Sequence, residues 1–280
     1  MIFIVLIGIF SLCVGSFLNV IIYRTPILLK HHWQKEYADF LNVPLQTSHI
    51  QQTFNLFKPR SHCPHCQHTI HPAHNIPLLS YLWLRGSCAY CKKRISIRYF
   101  IVELITLALS ITVTIHFGFT EQTLFGLILT WGLISLAFMD TEHHLLPDSI
   151  TLPLLWLGLL LSLRSIFTDA PSAILGASIG YLVLWSLNKI FKFFTNKQGM
   201  GEGDFKLLAL LGACLGWQAL PLILLIASIL GTFVGFILLK LKNKNHDTPI
   251  PFGPYLAIAG WVSILWGSSI TQFYLNLVGF

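Results

Sequence analysis

The chain has 280 residues, of which 54% are hydrophobic and only 10% charged, where a soluble domain carries about a quarter. Its mean hydropathy is +0.69. Such a chain cannot cover a globular surface with charge, and it is too apolar to stay disordered, so a soluble enzyme and a disordered protein are both excluded and a polytopic membrane protein remains. The formal net charge of +7 reads as cytoplasmic loops obeying the positive-inside rule rather than as a nucleic-acid surface.

A spanning helix needs about 20 mostly apolar residues, and residues 2–23 supply the first such run. It lacks a basic n-region and a small-residue cleavage site, so it reads as a retained anchor, closed by Arg24 and Pro26. Residues 24–98 are polar, rich in His, Gln, Lys and Arg, and form the only stretch long enough for a water-exposed domain. Within it, residues 27–57 match no recognisable motif. Seven further apolar segments follow at about 99–117, 122–139, 150–167, 172–194, 204–216, 219–241 and 253–278. The segment at 204–216 is short for a full crossing and reads as a half-helix or one leaning on its neighbours. The chain is thus predicted to be all-α, with about eight transmembrane helices and a cytoplasmic domain between the first and second.

The basic residues test that count. Seventeen of the 18 Lys and Arg fall in the loop between segments 1 and 2, on the flanks of the loop between 5 and 6, or between 7 and 8 (Lys240, Lys242, Lys244); only Arg164 lies at the opposite side. Eight spans with this asymmetry put these loops in the cytoplasm and both termini outside.

The polar domain contains Cys63-x-x-Cys66 and Cys88-x-x-Cys91. Two such turns supply four soft ligands for a tetrahedral zinc ion, and a filled tetrahedron leaves no open position, so the metal's role is structural. A cytoplasmic location disfavours disulfides. His62, His65, His68, His71 and His74 crowd the same region and read as solvated residues around the ribbon, while Cys13 and Cys214 read as packing thiols in apolar segments.

Ionisable residues at the edges of spans are expensive and therefore functional candidates. Asp140 ends segment 3 and Asp204 opens segment 6, so the topology brings both carboxylates to one depth on the cytoplasmic side. Facing carboxylates share one proton: the ionised partner activates water and the protonated one donates to a carbonyl oxygen. A proton or ion relay would use the same pair, and Asp204 would also serve as a helix cap. The glycines of Gly201-Glu202-Gly203-Asp204 suit an irregular start to the helix. Asp148 is predicted to cap segment 4. Glu121, Glu142, Asp169 and Asp247 read as solvated loop acids. Glu103, just inside segment 2 and near Arg98, is a candidate for pairing with a basic residue or for a role beside a bound cofactor.

Taken in order, these motifs resemble the bacterial prepilin peptidases, bifunctional type IV leader peptidases and N-methyltransferases of the GxGD membrane aspartyl protease type. The resemblance covers almost the whole chain. It rests on Gly15-Ser16-Phe17-Leu18-Asn19-Val20-Ile21-Ile22-Tyr23-Arg24, Cys63-Pro64-His65-Cys66, Asn75-Ile76-Pro77-Leu78-Leu79-Ser80-Tyr81 and Leu84-Arg85-Gly86-Ser87-Cys88-Ala89-Tyr90-Cys91. It continues through Ile95-Ser96-Ile97-Arg98-Tyr99-Phe100-Ile101-Val102-Glu103, Asp140 with Leu145-Leu146-Pro147-Asp148, and Gly201-Glu202-Gly203-Asp204-Phe205-Lys206. Phe100 departs from the pattern, which has Pro there.

The resemblance implies that Asp140 and Asp204 are the catalytic pair. It implies cleavage of basic leaders from prepilins and pseudopilins after a Gly, then methylation of the new N-terminal residue from S-adenosylmethionine, with Glu103 a candidate near the methyl-transfer site. The implied organisation is a first transmembrane helix (1–23), a zinc domain linked to methyl transfer (24–98) and a seven-helix protease domain (99–280) in the bacterial inner membrane, with periplasmic termini. No glycine-rich nucleotide-binding signature accompanies it.

Overall fold

The computed structural model describes residues 2–42, 54–197, 199–242 and 251–278. Asp247 and Lys244 lie outside them. Among the described residues the secondary structure is helical, with only two isolated β-bridges, His62–Thr69 and Ser87–Arg94. The helices are α1 (Ile2–Leu41), α2 (Leu79–Trp83), α3 (Arg98–Phe117), α4 (Glu121–His143), α5 (Asp148–Ser162), α6 (Ala170–Thr195), α7 (Glu202–Leu215), α8 (Leu220–Lys242) and α9 (Gly253–Val278). The chain divides into two compact units, residues 1–115 and 116–280.

Six of these helices are long and apolar enough to cross a membrane: α1, α3, α4, α6, α8 and α9. Large apolar side chains stay exposed along them, including Leu225, Ile229, Phe233 and Phe236 on α8. Water would not tolerate such a face, whereas lipid makes it ordinary. The segments at 150–167 and 204–216 form helices of 15 and 14 residues, about 22 Å long at 1.5 Å per residue, where the hydrocarbon core is about 30 Å thick.

In the first unit, α1 does not stop at Pro26 as the sequence suggested. It runs on to Leu41 with Pro26 inside it. An interior proline removes one backbone hydrogen bond and its ring crowds the preceding turn, which kinks or breaks a helix unless its neighbours continue it. Here Lys30, Gln34, Lys35 and Glu36 carry the helix onward. The described residues of 24–98 are therefore part helix and part ribbon, and residues 43–53 of the motif-free stretch 27–57 lie outside the described residues. Arg24, only 6% exposed, fixes the returning chain to the helix. Its Nη1 donates to the carbonyls of Asn55 (2.8 Å) and Leu56 (3.3 Å), and its Nη2 to that of Pro59 (2.7 Å).

Small residues let α1 and α3 approach closely. A β-carbon on Gly15 would lie 3.0 Å from the Glu103 Cα, and one on Gly8 would touch Leu107 at 3.5 Å. The buried side of α1 reads Gly8, Ser11, Gly15, Leu18, Asn19, Ile22, a helical spacing along one face.

In the second unit, α7 is the centre. It packs against α5, α6 and α9, and α9 also contacts α4 and α8. Ten of its fourteen residues are buried, from Asp204 and Phe205 through Cys214. A helix apolar all round belongs inside protein, which explains why its length need not match the bilayer. Glycines bring α6 against it. Gly176 and Gly180 form a GxxxG face on α6; Gly176 meets the backbone of Gly212, and Gly180 that of Leu208 and Ala209. Gly158 of α5 meets Cys214 in the same way. Asp169 caps α6 by accepting from the Ser172 N–H (3.2 Å), and that bond, with the Ser172 side chain, holds its carboxyl below the usual carboxylate range. At the far end, Arg164 pairs with Glu121 (3.1 Å).

A methyl group at Gly176 would meet the Gly212 carbonyl oxygen. Overpacking of this kind costs about 1–3 kcal/mol, so Gly176→Ala lowers the apparent melting temperature of the detergent-solubilised protein. Ser178→Ala, on the exposed side of the same helix, leaves it unchanged; equal melting of the two variants would contradict the packing.

Candidate active site and metal centre

In the second unit, Asp140 stands on the last turn of α4 and Asp204 on the first turn of α7. They are 6% and 7% exposed. Asp140 Oδ2 accepts from the Gly253 N–H at 3.0 Å. Gly253 is the first residue of α9, so the Asp140 carboxylate meets the positive end of a helix. His144 is close enough to Asp140 to act on it electrostatically, and Asp140 acts likewise on Asp204.

Leu146 joins the two acids sterically. A β-carbon on Gly203 would fall 2.7 Å from the Leu146 Cβ, and one on Gly253 would fall 2.6 Å from Asp140 Oδ2 and 3.3 Å from Leu146 Cδ1. The start of α7, the start of α9 and the turn after α4 thus converge on one leucine. Of the glycines before Asp204, Gly203 serves this approach, and neither marks a left-handed backbone: Gly201 has φ −76°, and neither it nor Gly203 has positive φ. A β-carbon on Gly201 would meet only Asp204 Oδ2, at 3.8 Å, so the space beside that carboxylate is open.

The capping roles suggested by sequence do not hold. The N-cap of α7 is Gly201 and that of α5 is Pro147, neither with a side-chain cap bond. Asp204 Oδ1 is buried without a partner. Asp148 instead takes both oxygens to Lys206 Nζ at 2.8 Å. A lysine two residues after Asp204 draws it away from capping. Gly253 had no role assigned from sequence; its signal is the Pro251-Phe252-Gly253-Pro254 stretch. Pro254 has no N–H to offer, so the donor to Asp140 comes from the residue before it.

In the first unit, the sulfurs of Cys63, Cys66, Cys88 and Cys91 all lie within 4.8 Å of one another. Cys63 and Cys91 are 3.8 Å apart. A zinc–sulfur bond of about 2.3 Å gives a tetrahedral edge near 3.8 Å, so the donor set and spacing fit zinc. The two Cys-x-x-Cys turns repeat one conformation. The N–H groups of Gln67 and Lys92 donate to the carbonyls of Cys63 and Cys88, and the N–H groups of Cys63 and Cys88 donate to those of His68 and Lys93. Gln67 and Lys92, each directly after the second cysteine, both have positive φ.

Burial opposes ionisation of Cys63, but the N–H groups of Cys66 and His65 and the thiols of Cys66 and Cys88 hold it below the usual thiol range. The His68 N–H favours a Cys66 thiolate, yet burial and the other three sulfurs push that thiol above it. Four thiolates this close require a cation. The histidines do not join the cluster. His68 instead lies against Tyr90 across the two turns, with ring centroids 3.7 Å apart.

Glu103, 9% exposed on α3, accepts from the Leu78 N–H at 2.8 Å, with the Ser16 side chain beside it. The pairing with Arg98 considered from sequence is not formed; the Arg98 guanidinium lies over the Tyr99 ring, 4.8 Å from its centroid.

Membrane-length helices, a buried carboxylate pair and a four-cysteine ribbon among the described residues define a polytopic membrane protein. Two family models match it: Bacterial Peptidase A24 N-terminal domain over residues 9–117, and Type IV leader peptidase family over residues 127–236. It is 54% identical over 271 residues to a prepilin leader peptidase/N-methyltransferase of Aeromonas hydrophila, covering 97% of this chain and 93% of that protein. It is 51% identical over 270 residues to the protein of the same name from Pseudomonas aeruginosa (96% and 92%) and 48% identical over 270 residues to that of Legionella pneumophila (96% and 93%). No solved structure matches. The chain belongs to the type IV leader peptidase family.

The ribbon predicts one zinc per purified chain by elemental analysis. Cys88→Ser or Cys91→Ser lowers the zinc content and exposes the remaining thiols to alkylation. A metal-free wild type with four unprotected thiols would contradict the tetrahedral site.

Proposed function

We propose that this chain is an inner-membrane prepilin peptidase and N-methyltransferase, with its two chemistries divided between its two units. The names of its relatives support both activities. The second unit cleaves the basic leader from prepilins and pseudopilins on the cytoplasmic side, with Asp140 and Asp204 as the catalytic pair. The first unit carries N-methylation of the new N-terminal residue, with S-adenosylmethionine as donor and a structural zinc on Cys63, Cys66, Cys88 and Cys91. The eight-segment topology, with cytoplasmic ribbon and periplasmic termini, belongs to the same proposal.

The observation that carries the cleavage reading is that two buried carboxylates, Asp140 and Asp204, lie close enough to act on one another electrostatically, where Gly203 and Gly253 both close on Leu146. Two such groups hold one proton between them. The ionised member takes a proton from water as it attacks the scissile carbonyl; the other donates to the carbonyl oxygen. The Gly253 N–H orients Asp140, and the open space beside Gly201 and Asp204 receives the peptide bond. Glu202 offers negative charge to a basic leader, whereas Asp148 is already spent on Lys206 and Glu142 stands against His143.

The first unit suits amine methylation through charge. The buried side chains facing its α1–α3 seam include a carboxylate and an unpartnered amide oxygen, which fit a cationic, hydrogen-bond-donating reactant of that chemistry. Zinc would hold the two Cys-x-x-Cys turns together, since so polar a ribbon has little core of its own.

Asp140→Asn and Asp204→Asn each lower cleavage of a prepilin peptide about 10²–10⁴-fold, the range of general acid–base catalysis, while zinc content stays at the wild-type level. Cleavage within a factor of a few of wild type in either variant would remove the pair from the mechanism. Gly253→Ala, which presses a methyl against Asp140 Oδ2, lowers cleavage as well. Cys63→Ser lowers the methylated fraction of the cleaved product, read by mass spectrometry.

A further inference from the structure

Among the described residues, the seam between α1 and α3 contains a buried amide oxygen without a donor and a buried carboxylate without a cation. Asn19 is 3% exposed. Its Nδ2 donates to the Tyr99 carbonyl at 3.0 Å and to the Gly15 carbonyl at 3.3 Å. Both partners are acceptors, so the NH₂ group must face them, and Oδ1 is left buried without a donor. One turn further along the same seam, Gly15 faces Glu103. Glu103 has one backbone donor, the Leu78 N–H, and the Ser16 side chain; it has no ion pair among the described residues. That backbone donor comes from Leu78, held at φ 59°, where non-glycine residues are uncommon and the strain marks functional sites.

A buried carboxylate without a cation and a buried amide oxygen without a donor are each costly. One ligand chemistry answers both: a cation that also donates hydrogen bonds. The donor's sulfonium carries charge but no N–H, and the ammonium at its amino-acid end loses no proton in the transfer, so only the substrate amine calls for a base. An ammonium carries charge and three N–H donors. Resting on the reading that the first unit methylates, we propose that Glu103 and Asn19 form the seat for the new N-terminal ammonium of the cleaved substrate, with Glu103 the base that takes its proton.

An α-amino group has a pKa near 7.7–8.0, so at neutral pH it arrives mostly protonated and cannot attack. At the seat one N–H bond of the ammonium breaks and its proton moves to the Glu103 carboxylate, which leaves a neutral amine with a free lone pair. The donor supplies an electrophilic methyl: the lone pair forms the N–C bond, the C–S bond breaks, and sulfur keeps that electron pair as a neutral thioether. The product is a secondary ammonium, and Glu103 returns its proton to water. The Asn19 oxygen accepts a second N–H and aims the lone pair.

The test uses the full chain in detergent and two peptides of the mature substrate sequence, one with a free N-terminus and one N-acetylated, each dye-labelled at its C-terminus for fluorescence anisotropy. Wild type binds the free-amine peptide at least tenfold more tightly. Glu103→Gln and Asn19→Leu bring that ratio close to one and leave binding of the acetylated peptide unchanged. The methylated fraction of product falls at least a hundredfold in Glu103→Gln and partly recovers in Glu103→Asp. In wild type, methylammonium competes with the free-amine peptide and trimethylsulfonium does not. Zinc content and monodisperse elution report the fold of each variant.

Equal preference for the free amine in wild type and a folded Glu103→Gln overturns the assignment, as does competition by trimethylsulfonium as strong as by methylammonium. If Cys63→Ser abolishes methylation and Glu103→Gln methylates normally, the ammonium seat alone falls. If methylation persists in both, the reading that the first unit methylates falls with it.

Discussion

A carboxylate can sit among apolar helices only where protein replaces the water it has lost. The second unit depends on meeting this constraint. The helix that bears Asp204 is enclosed by α5, α6 and α9, and the enclosure is possible because Gly158, Gly176, Gly180 and Gly212 let backbones touch. Lipid gives helices no hydrophobic reason to associate, so close packing and polar contacts must hold them together. The glycine contacts supply the packing. The starts of α7 and α9 supply the polar part, since a helix N-terminus has free N–H groups. Asp140 takes one of them from Gly253. Asp204 Oδ1 keeps an unfilled acceptor, which is an energetic debt in a resting protein and a useful feature in one that must bind water or a peptide bond.

The membrane class, the positions of the apolar segments and the four-cysteine cluster were legible in the sequence because each rests on a local signal: a run of about 20 apolar residues, or two turns of fixed spacing. What was not legible depends on contacts made far along the chain. Pro26 and Arg24 looked like a helix stop, but a helix ends only if its flanking residues prefer another structure, and these do not. Asp148 looked like a cap until Lys206, 58 residues away, claimed it. The glycines before Asp204 looked like an irregular helix start; Gly203 is a clearance for Leu146, and Gly201 leaves room beside the Asp204 carboxylate. In each case local propensity proposed one role and a tertiary partner assigned another.

The candidate pair itself was read from its place at two segment ends, not from any contact, and the partner that completes its surroundings was missed. Gly253 lies 113 residues after Asp140, and its backbone N–H carries no side-chain signature. Such donors are invisible to motif reading. The neighbouring prolines are the only hint, because each removes a donor and narrows which N–H remains.

The two units meet the membrane by opposite strategies. In the second, apolar packing encloses α7 and buries two carboxylates, Asp140 and Asp204, at its start. In the first, the ribbon is too polar for a core, and four sulfurs at tetrahedral spacing substitute for one. That ribbon also reaches back: the Leu78 N–H, a few residues before the second cysteine turn, is the donor to Glu103 on α3. Loss of the metal would therefore act beyond the ribbon, through α2 and Leu78, on the one buried carboxylate of the α1–α3 seam. A metal with every coordination position filled by these sulfurs would thus still reach Glu103, by fixing the Leu78 N–H that donates to an acid it never touches.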